Sequence, residues 1–324
     1  MAIRTKKRVL AAKVESEEGT AETLAESDGG LLVSELKWSL NIEQVARDFL
    51  TDTLSKIQPV PGKRSGSFSF TTELRGKSTA FSTSNVPEIG KYLMACGFSE
   101  VVDDTSGFET VTYEPISDAT NIPTLTMAIY NDGRTVQLRG CRGTASFECN
   151  NGEYSKATFE FSGMITSVVD ASSLAVDLTD EIALNPPLLL GASFSMDDGT
   201  NTHAAKISSL SVDMANTVTM REDMSQEHGY FTAIITDRNP TGKIDPEFEV
   251  ESTYPFLGNW LDGQTAAISF NYGATQYNQI AFAIPKATTT GITDSDREDL
   301  AVADMDFELN TAGAGDDEIS IVFS

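Results

Sequence analysis

Histidine occurs only twice in this 324-residue sequence, tryptophan twice and cysteine three times. His203 and His228 lie in polar stretches with no Cys or His at ligand spacing, so no zinc-type motif is present. Cys96, Cys141 and Cys149 are odd in number and lack metal spacing. They are expected to be free thiols, buried or half-buried, in a protein made in a reducing cytoplasm. No apolar run approaches the roughly 20 residues of a membrane span. The start, MAIRTKKRVLAAKVESEE, has a basic segment but no signal-type apolar region, because Lys13 interrupts Val9–Ala12.

The chemistry of sites is equally sparse. TAGAGDDE (311–318) is Gly-rich and follows an expected strand, but no helix opens after it to cradle phosphate. DSDRED (294–299) begins like a calcium loop, yet the sixth position is Asp299 and the twelfth is Met305, where Gly and Glu are needed. A solvated turn is the reading there. Carboxylates are so abundant that no pair stands out as a general acid and base. The residues point away from an enzyme, and no cofactor or metal is expected.

Positive charge is scarce in one half only. Residues 1–168 carry 17 Lys and Arg against 22 Asp and Glu, whereas residues 169–324 carry 6 against 26. Most of the net charge of −25 therefore sits in the second half. Such a surface repels phosphate over a Debye length of about 8 Å. Gripping DNA needs the opposite balance. A hydrophobic content of 40% with 22% charged residues suits a folded protein, and the length is comfortable for two cores.

What is present is repetition. SELKWSLNIEQVARDFL (34–50) aligns with SSLSVDMANTVTMREDM (208–224), placing Leu36, Trp38 and Leu40 on Leu210, Val212 and Met214, and Arg47 on Arg221. Gly62-Lys63 aligns with Gly242-Lys243, which sets Phe68 and Phe70 on Phe248 and Val250. VPEIGKYL (86–93) aligns with YPFLGNWL (254–261), and ATFEF (157–161) with ADMDF (303–307). The four matches keep their order, which predicts two β domains at 1–168 and 169–324. A connector is expected at about 169–187, and an N-terminal arm, ordered only on assembly or simply disordered, at about 1–30.

Each unit reads as alternating strands with one short helix. In VPEIGKYLMACGF, Pro87 suits a first turn and Gly97 a stop. Closing strands are expected at 123–130, 134–148 and 155–168, and at 264–272, 277–285, 300–309 and 318–323. Asp198-Gly199 marks a tight hairpin. Long polar excursions at 41–62 and 215–243 read as loops, and loops of such length are commonly functional. Their basic residues, Arg47, Lys63, Arg64, Arg221, Arg238 and Lys243, are candidates for contacts between subunits or rings, or for internal salt bridges. Glu247, Glu249 and Glu251 alternate with Phe248 and Val250. Asp304, Asp306 and Glu308 alternate with Met305, Phe307 and Leu309. Period-two placement puts each acidic set on one strand face.

These phrases resemble the major tail tube proteins of long-tailed bacteriophages. The resemblance is carried by VARDFLTDTLSKIQPVPGKRSGSFSFTTELRG (45–76) and by MAIYNDGRTVQLRGCRGTASFECNNGEYSKATFEFSGMI (127–165), which ends on Phe159, Phe161 and Gly163; ITDRNPTGKIDPEFEV (235–250) looks like the second-copy partner. It implies a mainly β fold of two tandem β-sandwich or barrel domains, each with a covering helix. It also implies stacked rings around a tape-measure protein, ends met by tail terminator and distal tail proteins, and double-stranded DNA passing without specific binding. The location implied is the virion tail, after assembly in the host cytoplasm, with no membrane partner. Rings of this kind usually hold six domains, so a duplicated chain predicts three chains per ring and a wall of about 24 strands, wide enough to leave a channel. The acidic sets are then candidates for the lumen. Near alternatives are the tube of a contractile or secretion-type machine, and a surface β-sandwich binding module.

Overall fold

The computed structural model describes residues 3–171, 174–176 and 178–324. Met1 and Ala2 of the expected arm, and Ser172, Ser173 and Asp177 of the expected connector, lie outside the described residues. The first half comprises β1 (Arg8–Val14), β2 (Val33–Val45), β3 (Val60–Glu73), α1 (Gly90–Ala95), β4 (Phe98–Asp103), β5 (Thr110–Pro115), β6 (Leu125–Asn131), β7 (Arg134–Asn150) and β8 (Lys156–Asp170). The second comprises α2 (Thr179–Ala183), β9 (Ser193–Asp197), β10 (Thr202–His203), β11 (Ser209–Asp213), β12 (Asn216–Glu222), β13 (Tyr230–Arg238), β14 (Thr241–Ile244), α3 (Phe256–Leu261), β15 (Thr265–Tyr272), β16 (Ile280–Arg297), β17 (Leu300–Leu309) and β18 (Ser320–Phe323). The fold is mainly β, as the alternation predicts.

Strand pairing runs through the same sequence of partners in both halves. In the first it is β1-β6-β7-β8-β3-β2; in the second it is β9-β15-β16-β17-β14-β11. All of these pairings are antiparallel. The two series are joined where β11 pairs with β7, so that Leu210 faces Cys149 and Val212 faces Phe147. A second seam forms where β18 pairs with both β16 and β5.

One apolar core runs under both series. In the first half Phe70 stacks on Phe159 at 5.3 Å and meets Tyr92 of α1 edge-on at 5.3 Å. In the second, Phe270 stacks on Phe282 at 4.8 Å. Phe147 of β7 meets Phe282 of β16 at 5.7 Å, so the seam between the halves is packed like an interior. Helix α1 covers the core with Tyr92, Leu93 and Ala95 and stops at Gly97, whose φ of +86° suits glycine. Cys96, Cys141 and Cys149 are all buried free thiols. Burial pushes their ionisation up, Cys149 to about 11, so they stay protonated and inert at neutral pH.

Four expectations need correction. The segment Arg8–Val14 is a strand rather than part of an arm: it pairs along its length with β6 and buries Leu10, Ala11 and Ala12. Residues 215–243 are not a loop but the hairpin β12–β13, running on into β14. Third, Gly62-Lys63 is not the partner of Gly242-Lys243. Trp38 faces Phe68 in the first half and Val212 faces Gly242 in the second, so Gly242 occupies the place of Phe68. The Phe307 ring fills that space, and a Cβ on Gly242 would lie 2.3 Å from its Cζ. Fourth, Glu247, Glu249 and Glu251 do not share a strand face. Pro246 has no N–H with which to continue the β14 ladder, regular pairing ends at Ile244, and Val250 is exposed.

Phe70→Ala is expected to destabilise the chain by about 3–5 kcal/mol. Glu160→Ala, on the opposite face of the neighbouring strand, is expected to stay within about 0.5 kcal/mol. Urea denaturation of both variants checks this.

Candidate functional site

Period-two alternation gives the joined sheet two unlike faces. Eight strands lie side by side in the order β2-β3-β8-β7-β11-β14-β17-β16. One row of directly paired residues crosses all of them: Ser34, Thr71, Thr158, Ser146, Asp213, Thr241, Glu308 and Thr288. On one side of it a shorter row holds Lys37, Ser69, Glu160 and Thr144 in the first half, and on its other side a second short row holds Ser211, Lys243, Asp306 and Gly291 in the second half. The residues between these rows, such as Phe70, Phe159, Ala145, Val212 and Phe307, point into the core. The molecule therefore presents one continuous polar wall spanning both halves.

The charge of that wall differs between the halves. Asp304, Asp306 and Glu308 are exposed on β17, alternating with buried Met305, Phe307 and Leu309. Thr158 and Glu160 hold the places of Asp304 and Asp306 in the first half, because each pair faces Ser146/Thr144 or Thr293/Gly291 in its own ladder. Lys243 reaches Asp306 at 2.8 Å, and this hydrogen bond raises the lysine's ionisation range.

The other acidic set is dispersed. Glu247 accepts from Arg297 at 3.2 Å and lies 3.7 Å from Lys206. Glu249 is exposed. Glu251 accepts the backbone N–H of Gly258 at 3.3 Å, within α3. Sequence reasoning missed Asp213 and Lys243 as members of the polar wall, because the misplaced Gly-Lys alignment hid their register.

Most of the candidate basic residues find partners inside the chain. Lys63 donates to Glu222 at 2.6 Å, and Arg64 donates its backbone N–H to the carbonyl of His228. Arg221 lies 3.6 Å from Glu18 and stacks on Phe231. Arg238 bonds Asp316 and Glu318 at 3.0 and 2.9 Å. The Lys63, Arg64 and Arg221–Glu18 contacts dock the β12–β13 hairpin onto the first half, whereas Arg238 ties its end to the 316–318 segment of the second. Ala215, at φ +46°, bends the hairpin away from β11. The carbonyl of Ala233 accepts from buried Arg142, and Glu18 accepts from both Arg142 and Thr232. Arg47, in contrast, is exposed and has no partner among the described residues. It lies in the 46–59 segment between β2 and β3, where Phe49, Leu50 and Leu54 are also exposed.

No group of His, Cys, Asp and Glu among the described residues is arranged to hold a metal ion. His203 instead stacks on Tyr254 at 5.1 Å. Among the described residues no helix is long and apolar enough to cross a membrane.

The Arg238 cluster gives the fold an acid limit. Burial opposes ionisation of Asp316, but hydrogen bonds from Ser117 and Arg238 outweigh it and hold the carboxyl below the usual aspartate range. A lowered folded value means stability that is present above the unfolded value of about 4 and lost as pH falls below it. Arg238→Ala is expected to cost about 2 kcal/mol at pH 7 and to flatten the loss of stability between pH 5 and 3, as measured by urea denaturation across about that range.

A search of the curated proteins finds no match to this chain. A family model described as phage tail tube protein matches residues 5–316. The match covers nearly the whole chain and agrees with the β-rich architecture. The chain belongs to the phage tail tube protein family, and is a structural, non-enzymatic component of the virion tail.

Proposed function

We propose that this chain polymerises into stacked rings that form the hollow tail tube of a long-tailed phage, through which genomic DNA passes. Each chain supplies two copies of one wall segment, residues 1–168 and 169–324. The observation that carries this reading is the eight-strand sheet, polar on one face and, among the described residues, open along β2 at one end and along Thr289–Arg297 of β16 at the other. The matching pairing orders of the two halves support the duplication. The corrected register strengthens it: Leu36, Trp38 and Phe68 stand to one another as Leu210, Val212 and Gly242 do. Strand β8 runs two residues past the proposed boundary, ending at Asp170.

Three such chains bring about 24 strands to a closed wall, beyond the size at which barrels keep an open channel. Closing the ring also removes both exposed edges. The polar face lines the bore, with Asp304, Asp306 and Glu308 on it. Hydroxyls outnumber charges on the first half's part of this face and carboxylates dominate the second's, which gives phosphate little grip and suits DNA in transit. The outer side carries α1 and α3. A tape-measure protein in the bore, and terminator and distal tail proteins at the ends, complete the set of partners. The β2–β3 segment with Arg47, reaching beyond the sheet, makes contacts between copies.

Two measurements test this. Electron microscopy of the purified chain at high concentration is expected to show rings or tubes with threefold averaged symmetry. Six chains per ring would overturn the stoichiometry, and a dispersed monomer the assembly itself. In assembled tubes of an Asp306→Cys variant, a small maleimide is expected to label the thiol while a polymer-linked maleimide too large for the bore is excluded. Equal labelling by both would place the acidic set on the outside.

A further inference from the structure

The seam inside the chain specifies the seam between chains. Each half has the same six-strand pairing order, and β11 of the second half lies against β7 of the first. The counterpart of β11 is β2, and the counterpart of β7 is β16. Both counterparts are open. Among the described residues strand β2 pairs only with β3. On the side where β15 runs, β16 is paired as far as Thr288, and from Thr289 to Arg297 no partner other than β17 is found among the described residues. β7 shows the same arrangement, with β6 on that side as far as Cys141 and β11 beyond it.

The register carries over residue by residue. Asp213 faces Ser146 and Val212 faces Phe147 in the inner seam. Asp213 corresponds to Ser39 and Val212 to Trp38, through their shared places opposite β3 and β14. Ser146 corresponds to Thr293 and Phe147 to Asp294, through their places opposite β8 and β17. We propose that β2 of one chain pairs antiparallel with the free segment of β16 in a second copy, with Ser39 opposite Thr293 and Trp38 opposite Asp294. This rests on the tube reading above and names the contact that closes its ring.

The backbone chemistry agrees. Met214 donates its N–H to the carbonyl of Ala145, so along the inner seam residues 214 and 212 exchange hydrogen bonds with 145 and 147. The equivalent groups of Leu40 and Trp38 face the open edge of β2, and those of Ile292 and Asp294 face the open edge of β16. Side-chain charge is complementary as well. The Arg134 guanidinium lies over the Trp38 ring at 5.1 Å, with its Nε buried and unpartnered. Docking brings the exposed Asp294 carboxylate of the second copy to that ring.

Ser39 and Thr293 form a non-hydrogen-bonded pair in this register, with Cα atoms about 4.5 Å apart, within disulfide reach. A Ser39→Cys, Thr293→Cys double variant, oxidised after assembly, is expected to give a ladder of disulfide-linked chains on a non-reducing gel that ends at the closed trimer. An Asp213→Cys, Ser146→Cys variant, bridging the inner seam, is the positive control; Ser39→Cys with Ser295→Cys, shifted by two residues, is the negative one. Unmodified protein supplies a second readout. Amide hydrogen exchange of Trp38, Leu40, Ile292 and Asp294 is expected to slow at least tenfold in tubes relative to dispersed chains. Tubes that form without the crosslink, while the positive control bridges, and without slowed exchange, overturn this pairing and leave the tube reading standing. Absence of any assembly overturns both. A ladder ending at six chains keeps the pairing and overturns the three-chain ring.

Discussion

The structure depends on where strand edges are allowed to end. An unpaired edge exposes a row of N–H and C=O groups, each of which needs a partner. Within the chain this demand is met by joining β11 to β7 and β18 to β5, which fuses two six-strand series into one sheet. Phe147 against Phe282, and Tyr113 against Phe323 at 5.8 Å, then pack that junction as a core rather than as a contact between separate domains. The two halves cannot tilt independently without breaking both backbone pairing and aromatic packing. The relative placement of the eight strands is thereby set within the single chain.

The same pleat that fixes the core fixes the charge. Every residue that faces away from the core along β17 is acidic from Asp304 to Glu308, and the matching stretch of β8 has Thr158, Glu160 and Ser162. The asymmetry of charge along the sequence thus becomes an asymmetry across one sheet face, which the proposed ring would turn into an alternation around its wall. In the paired strands of that sheet's second half Lys243 is bonded to Asp306, and Arg297 to Asp245 and Glu247, so these two cations are already engaged by carboxylates.

Much of this was legible in the sequence, for definable reasons. Strands β6, β7, β8, β15 and β17 announce themselves by clean alternation or long apolar content, and their ends were placed within a few residues. Helix α1 is bracketed by Pro87 and Gly97, both of which act through their own backbone geometry. The failures lie where a local pattern had competing readings. Gly62-Lys63 and Gly242-Lys243 look alike, but Gly242 exists because Phe307 needs its space across the strand, a contact with no trace in local sequence. Strand β1 is short and flanked by charge, and only its pairing to β6 explains it. The β12–β13 hairpin has polar residues on both faces because it lies on the first half through salt bridges and backbone bonds rather than through an apolar stripe. Of the acidic sets, Asp304–Glu308 was readable because nothing interrupts its strand, whereas Pro246 undoes the other.

The inner and outer seams differ in a way that follows from their histories. The inner seam forms once, during folding, and sets Val212 against Phe147, both fully withdrawn from water. The outer seam, as proposed above, must stay soluble in the free chain and then close. Its counterpart positions carry Trp38 under Arg134 on one side and exposed Asp294 and Asp296 on the other. The open edge of β2 is further blunted. Arg8 donates to the carbonyl of Leu36 at 2.9 Å, and a bulge at Glu35, with φ of +50°, breaks the regular ladder there. Inserted charge and bulges are the devices by which sheet proteins discourage unplanned edge pairing. Here they leave the edge selective rather than closed. A generic strand would meet the bulge and Arg8, while a strand bearing carboxylates in the β16 register meets a guanidinium held in place for it. A tube subunit needs that combination, since it must refuse random partners in solution and accept one partner at the growing end.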